Sequence, residues 1–153
     1  SAALATNEGK GNFWLSKARL PRLTLEGFAR GVLAAASPDD LSRVLARLDM
    51  PPGIALGQSI GNFTISNGNL VFSDLAPPVD GLTVTIAPQM DMAAGQIKVS
   101  TTVAIKGKPD LPAVHIDYGG DPAALTVRNG TSALAAKLGY EAANAHINSL
   151  CEE

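Results

Sequence analysis

Residues 82–107 read LTVTIAPQMDMAAGQIKVSTTVAIKG, two alternating segments joined at Ala93-Ala94-Gly95. In the first, Leu82, Val84 and Ile86 alternate with Thr83, Thr85 and Ala87, and Met90 and Met92 keep the same parity. In the second, Ile97, Val99, Thr101, Val103 and Ile105 fall on one side and Lys98, Ser100, Thr102, Ala104 and Lys106 on the other. Successive side chains of a strand point to opposite faces. The stretch therefore predicts a two-stranded hairpin with one apolar and one polar face. A sheet built on it is wet on one side and must cover the other with helices, a second sheet or a ligand. No residue of the hairpin carries evident catalytic chemistry, so the functional question is what covers the apolar face.

Working outward toward the N-terminus, Phe63 and Ile65 alternate with Asn62 and Thr64, and Leu70 and Phe72 follow Ser66-Asn67-Gly68-Asn69. An Asn-Gly pair between alternating segments signals a tight primed-turn hairpin. With Asn67-Gly68 as its loop, Ile65 faces Leu70 and Phe63 faces Phe72, all four on one face. Asp74 to Gly81, with Pro77-Pro78, reads as a loop. Farther back, Ser37-Pro38-Asp39-Asp40 is a helix start: a capping serine, proline at the first helical position, and two acids at the positive end of the dipole. The helix is expected to run to about Asp49, with Leu41, Val44, Leu45 and Leu48 as its apolar stripe, and Pro51-Pro52-Gly53 ends it. A first helix is expected from an N-cap at Thr24, carrying Leu25, Phe28, Val32 and Leu33. Gly27 and Gly31 weaken it by about 1 kcal/mol each relative to Ala, or allow close packing. Asn12 to Ala18 reads as a short strand with Phe13 and Leu15 on one face and Trp14 opposite, stopped by Pro21; Ser1 to Lys10 reads as loose.

Toward the C-terminus, Val114, Ile116 and Tyr118 alternate with Ala113, His115 and Asp117. Gly119-Gly120-Asp121-Pro122 predicts a turn, and Leu125 and Val127 a last short strand. Thr131 or Ser132 then opens a terminal helix with Leu134, Leu138, Ala142, Ala145 and Ile147. The expected fold class is α+β: a curved antiparallel β-sheet of about five or six strands with an N-terminal helical hairpin and a C-terminal helix. It is expected as a single domain over 1–153, a piece of a longer protein. Residues 11–50 give the strand and helical hairpin, 60–128 the sheet and 131–150 the terminal helix.

Composition excludes several function classes. Charged residues are 17% of the chain, against the usual quarter of a soluble domain, and the net charge is −2. Nucleic-acid binders concentrate Lys and Arg on one face, so no nucleic-acid partner is expected. Lys17, Arg19, Arg22 and Arg30 cluster only loosely and read as a solvated rim. The single cysteine, Cys151, leaves no internal disulfide and no multi-thiol metal site. No apolar run approaches the roughly 20 residues of a membrane-spanning helix.

Candidate chemistry is sparse. His115 and Asp117 lie two apart on a strand and point the same way, as a general base or half a metal site would; opposite Val114 and Ile116 they also read as a solvated polar face. His146, the other histidine, falls in the terminal helix. Gly9, Gly11 and the glycines near Gly119 lack the spacing of a phosphate loop. Asn62-Phe63-Thr64 and Asn129-Gly130-Thr131 match the glycosylation pattern, which is common by chance. Asp80, Asp91 and Asp121 read as turn residues, and Met90 and Met92 as core filling or an adaptable apolar lining. The reading is not an enzyme, with no cofactor and no metal.

Four segments in order carry a family resemblance: Gly11 to Leu25, Phe63 to Leu70, Val79 to Val84 followed by Met90 to Ile97, and Leu111 to Gly120 with Pro122 and a terminal helix. Together they resemble the C-terminal region of the AsmA family of Gram-negative envelope proteins, relatives of TamB. The resemblance implies a periplasmic module of an inner-membrane-anchored protein, reaching the membrane only through an N-terminal anchor not included here. It implies lipid handling and outer-membrane assembly on a concave apolar sheet face, with no enzyme activity. Where the family often has an aspartate before the last helix this chain has Asn129-Gly130, so Arg128 and Asn129 take no family role.

Two expectations follow. In the first, Phe63, Ile65, Leu70, Phe72, Leu82, Val84, Ile86, Ile97, Val99, Val103 and Ile105 line a groove for the acyl chains of a phospholipid or other acyl lipid. Each buried CH₂ is worth about 0.8 kcal/mol, so such a groove needs no specific polar chemistry. In the second, the helices seal that face, and the module is a structural cap or docks an envelope protein partner by an exposed edge.

Overall fold

The computed structural model describes residues 8–20, 22–48, 50–130 and 132–138. Seven strands form one antiparallel sheet in chain order: β1 (Gly9–Leu20), β2 (Ile54–Ser66), β3 (Asn69–Phe72), β4 (Leu82–Asp91), β5 (Gln96–Ile105), β6 (Val114–Asp121) and β7 (Ala124–Gly130). Between β1 and β2 the chain forms two helices, α1 (Phe28–Ala34) and α2 (Pro38–Ala46). A third, α3, covers 132–138. The class is α+β, with two helices between β1 and β2 and one after β7, but the strands number seven, not five or six. The sheet also begins earlier than the expected residue 60. The remainder of the expected 131–150 helix, with Ala142, Ala145, His146 and Ile147, lies outside the described residues, as do Ser1 to Asn7, Pro21, Asp49, Thr131 and Cys151.

The extra sheet comes from β1 and β2, which pair over their full length and are longer than their sequence pattern announces. The register shifts between Leu15 and Ala18, where Lys17 takes a positive φ of 58° and Gly57, paired with Ala18, one of 69°. A bulge sets two residues of one strand against one of its partner and so breaks the period-two frame. Beyond it Leu20 is turned into the core, paired with Ile54. No single alternation runs through either strand: the sequence pattern marks only Asn12 to Ala18, and β1 extends it to Leu20 and back to Gly9 and Lys10, which read as loose.

The Asn67-Gly68 hairpin has the predicted register, and residues 82–105 form the second expected hairpin. Asn67 (φ 49°) and Gly68 (φ 76°) form the two-residue loop that pairs Ile65 with Leu70 and Phe63 with Phe72. Leu82 pairs with Ile105 and the ladder continues to Asp91 and Gln96. Asp91 closes that turn by accepting the Ala93 and Ala94 N–H groups at 3.0 Å, and Asp121 accepts Ala123 N–H at 2.8 Å.

The helical hairpin is half as expected. Ser37 caps α2, its hydroxyl accepting Asp40 N–H at 3.2 Å, with Asp39 and Asp40 in the first turn. The first helix does not start at Thr24. Its N-cap is Gly27 at φ 73°, and the Thr24 hydroxyl instead donates to the Met50 carbonyl and accepts Gly53 N–H. Thr24 therefore pins the loop between α2 and β2 rather than ending a helix. Gly31 permits close packing: a Cβ there would lie 2.9 Å from Val44 of α2. Phe28, Val32, Leu41, Leu48 and Leu134 from the helical layer join Leu82, Val84, Ile86, Val103, Val114, Ile116 and Tyr118 from the sheet in one buried cluster.

Candidate functional site

Strand register assigns the inner face row by row. Val84, Val103 and Val114 lie abreast; next come Ile86, Thr101 and Ile116, then Pro88, Val99 and Tyr118, then Met90, Ile97 and Gly120. Leu70 continues the last row and Phe72, Phe63 and Gly11 run beside it. All eleven groove candidates thus share one face. Their cover differs. Leu82, Val84, Ile86, Val103 and Ile105 are buried beneath the helices, whereas Phe63, Ile65, Leu70, Phe72, Ile97 and Val99 are half-buried.

Helix length accounts for the division. At 1.5 Å per residue the 9 residues of α2 span roughly 14 Å. At about 3.3 Å per residue the 10 residues of β4 span roughly 33 Å. Helices this short cover one end of the strands. The other end carries the hairpin tips, where Met92 N–H donates to the Gly68 carbonyl at 2.9 Å.

At that end the sheet covers itself with aromatic rings. Gly11 pairs with Phe63 and Gly61 with Phe13. A Cβ on Gly11 would lie 2.6 Å from Phe63 Cζ, and one on Gly61 would lie 2.5 Å from Phe13 Cζ, so each ring rests over the glycine opposite it. Phe72 completes the group, edge-on to Phe13 at 5.3 Å between centroids and tilted to Phe63 at 6.3 Å. Such offset and edge-on pairs are the favoured aromatic geometries. Where this layer meets the helix-covered core, Phe13, Leu15, Phe72, Leu75 and Pro88 surround a partly open pocket of about 180 Å³ with an apolar lining.

Of these pocket residues, sequence reasoning picked only Phe72 as a groove candidate. Phe13 and Leu15 were placed on one face of their strand, but which sheet face they join depends on the long-range pairing of β1 with β2. The legible signal was the glycine opposite each aromatic, usable only once that register is known. Leu75 enters through a bridge to Ile86 outside the regular strands.

Polar groups on the inner face are few. Thr101 is buried at 1% exposure and its hydroxyl has no hydrogen-bond partner among the described residues. The Tyr118 hydroxyl donates to the Arg22 carbonyl at 2.9 Å, tying β6 to the segment before α1. On the outer face His115 and Asp117 do point the same way, but His115 Nδ1 pairs with the Thr102 hydroxyl at 3.3 Å and Asp117 stands opposite Arg128 across the β6–β7 ladder. Among the described residues no three His, Cys, Asp or Glu side chains gather as a metal-holding group, and no helix is long and apolar enough to cross a membrane.

Comparison with protein-family models, curated proteins and solved structures gave no match.

Proposed function

We propose that this chain is a non-catalytic lipid-handling module that holds part of an acyl chain against the hairpin end of its apolar sheet face. The observation that carries the reading is the apolar pocket formed by Phe13, Leu15, Phe72, Leu75 and Pro88, continuous with inner-face positions that stay half-buried among the described residues. Its size sets what fits. A dry apolar cavity of roughly 150 Å³ accepts a benzene-sized molecule, so about 180 Å³ takes a run of a few methylenes and not a whole lipid. At about 0.8 kcal/mol per buried CH₂, the rest of an acyl chain would add affinity by lying along Leu70, Met90 and Ile97. The order of the four motif segments between Gly11 and Gly120 supports placing the module in an AsmA-like, inner-membrane-anchored periplasmic protein of outer-membrane assembly.

A second reading, a sealed structural cap or a domain docking an envelope protein, is favoured by the burial of Leu82, Val84, Ile86, Val103 and Ile105. Native mass spectrometry with solvent extraction separates the two. Lipid capture predicts masses raised by phospholipid-sized increments, lost in a folded Leu15→Glu variant that puts a carboxylate in the pocket. A clean apo mass in the folded wild type refutes lipid capture and leaves the sealed domain.

A further inference from the structure

Trp14 and Ile60 face each other directly across the β1–β2 pair, on the outer side of the sheet. They are 64% and 81% exposed. A single exposed aliphatic side chain is ordinary, but here a tryptophan is paired with an isoleucine on the strand that, among the described residues, forms one edge of the sheet. At this place β1 is apolar on both sides, because the neighbours of Trp14, Phe13 and Leu15, line the pocket.

Around the pair the basic residues outnumber the one acid, Glu8, which directly precedes β1. β1, β2 and β3 together contain Lys10, Lys17 and Arg19 and no acidic residue, in a chain whose net charge is −2. Lys10 lies on the same face as Trp14, paired with Thr64 as Trp14 is with Ile60. Lys17 stands in the bulge on the other side of Trp14. The Arg19 guanidinium is engaged by the Pro52 and Gly53 carbonyls at 3.2 Å, so the two lysines are the cations flanking the indole. An indole with an apolar body and a polar N–H partitions to the headgroup level of a bilayer. Lysines beside it keep their stems in apolar surroundings and their ammonium groups on lipid phosphates.

We propose that the β1 edge is a docking surface for an anionic bilayer, with Trp14 and Ile60 seated among the headgroups and Lys10 and Lys17 on the phosphates. The proposal rests on the lipid-handling reading in one respect: docking there holds the pocket, on the opposite side of the same strand, beside the membrane from which a lipid would enter.

Trp14 is the one tryptophan of the chain, so its emission reports the contact without a label. Vesicles of equal parts phosphatidylglycerol and phosphatidylcholine are expected to shift that emission to the blue and to co-sediment the protein. Phosphatidylcholine vesicles alone should do so weakly. Lys10→Glu should weaken sedimentation by roughly tenfold, added salt should weaken it further, and Trp14→Ser with Ile60→Ser should abolish it while leaving the far-ultraviolet spectrum unchanged. An unchanged emission without co-sedimentation overturns the proposal. So does a blue shift that follows protein concentration alone in buffer, which marks the patch as a contact between copies of the chain. Leu15→Glu keeps the two readings apart. Docking retained by this variant, and by a wild type that carries no lipid, upholds the surface and refutes lipid capture. Lipid carried by a wild type that never docks does the reverse.

Discussion

At the helix end of the sheet, Val84, Val103 and Val114 lie abreast with 2% or less of their surface exposed. At the hairpin end of β4 and β5, Met90 and Ile97 lie abreast of Leu70 on β3 just as regularly, and all three stay half-buried. The residue types are alike and so is the alternation. What differs is the cover: helices at one end, and toward β1 the rings of Phe13, Phe63 and Phe72 over two glycines at the other. An alternating pattern therefore tells which face a side chain joins and says nothing of what lies above it.

Substitutions should act unequally at the two ends. The largest effect is expected from Val84→Glu with Val103→Glu, which buries two carboxylates side by side in the helix-covered core. Each costs several kcal/mol against a total stability of about 5–15 kcal/mol, so circular dichroism should show no cooperatively folded protein. A folded double variant would mean that the two ends are equally open. Next, Ile116→Ala should lower the urea-unfolding free energy by about 3 kcal/mol, and Leu70→Ala at the hairpin end by about 1 kcal/mol. Equal losses would erase the distinction.

Gly61→Val tests the ring layer. It places a side chain against both the Ser73 hydroxyl and the Phe13 ring and should cost about 2 kcal/mol by overpacking. Adding Phe13→Ala should return part of that loss in the same titration, and no recovery would show that the ring is not what the valine meets. The smallest effect has the opposite sign. Thr101→Val removes a buried hydroxyl without a partner among the described residues while keeping its shape, and should raise the unfolding midpoint by the equivalent of about 1 kcal/mol.

The features legible in the sequence were those set by neighbours in the chain. Asn67-Gly68 determines its own turn and through it four inner-face residues; Ser37-Pro38-Asp39-Asp40 starts a helix from within one turn; the parity of residues 82–105 orients two strands. Features set by distant partners were not legible. The bulge at Lys17 lies unannounced inside the expected Asn12–Ala18 strand, and the ends of β1 and the start of β2 depend on the pairing around it. Thr24 looks like a cap in isolation, yet its hydroxyl goes to Met50 and Gly53. The eleven groove candidates were correctly grouped by face, but their division into covered and uncovered sets follows from where α1 and α2 settle and how short they are. Trp14 was read as opposite Phe13 and Leu15, while its exposed partner Ile60 emerges only from the β1–β2 register.

One further consequence belongs to the strand order. Because β1 through β7 lie side by side in the sequence in which they are made, no segment crosses under another to reach its place. A hairpin appended beside β7, or ahead of β1, would widen the inner face by about 4.8 Å per strand without re-threading anything already folded. A sheet of this design is extensible by simple duplication, and the reach of whatever lies across it scales with the number of strands.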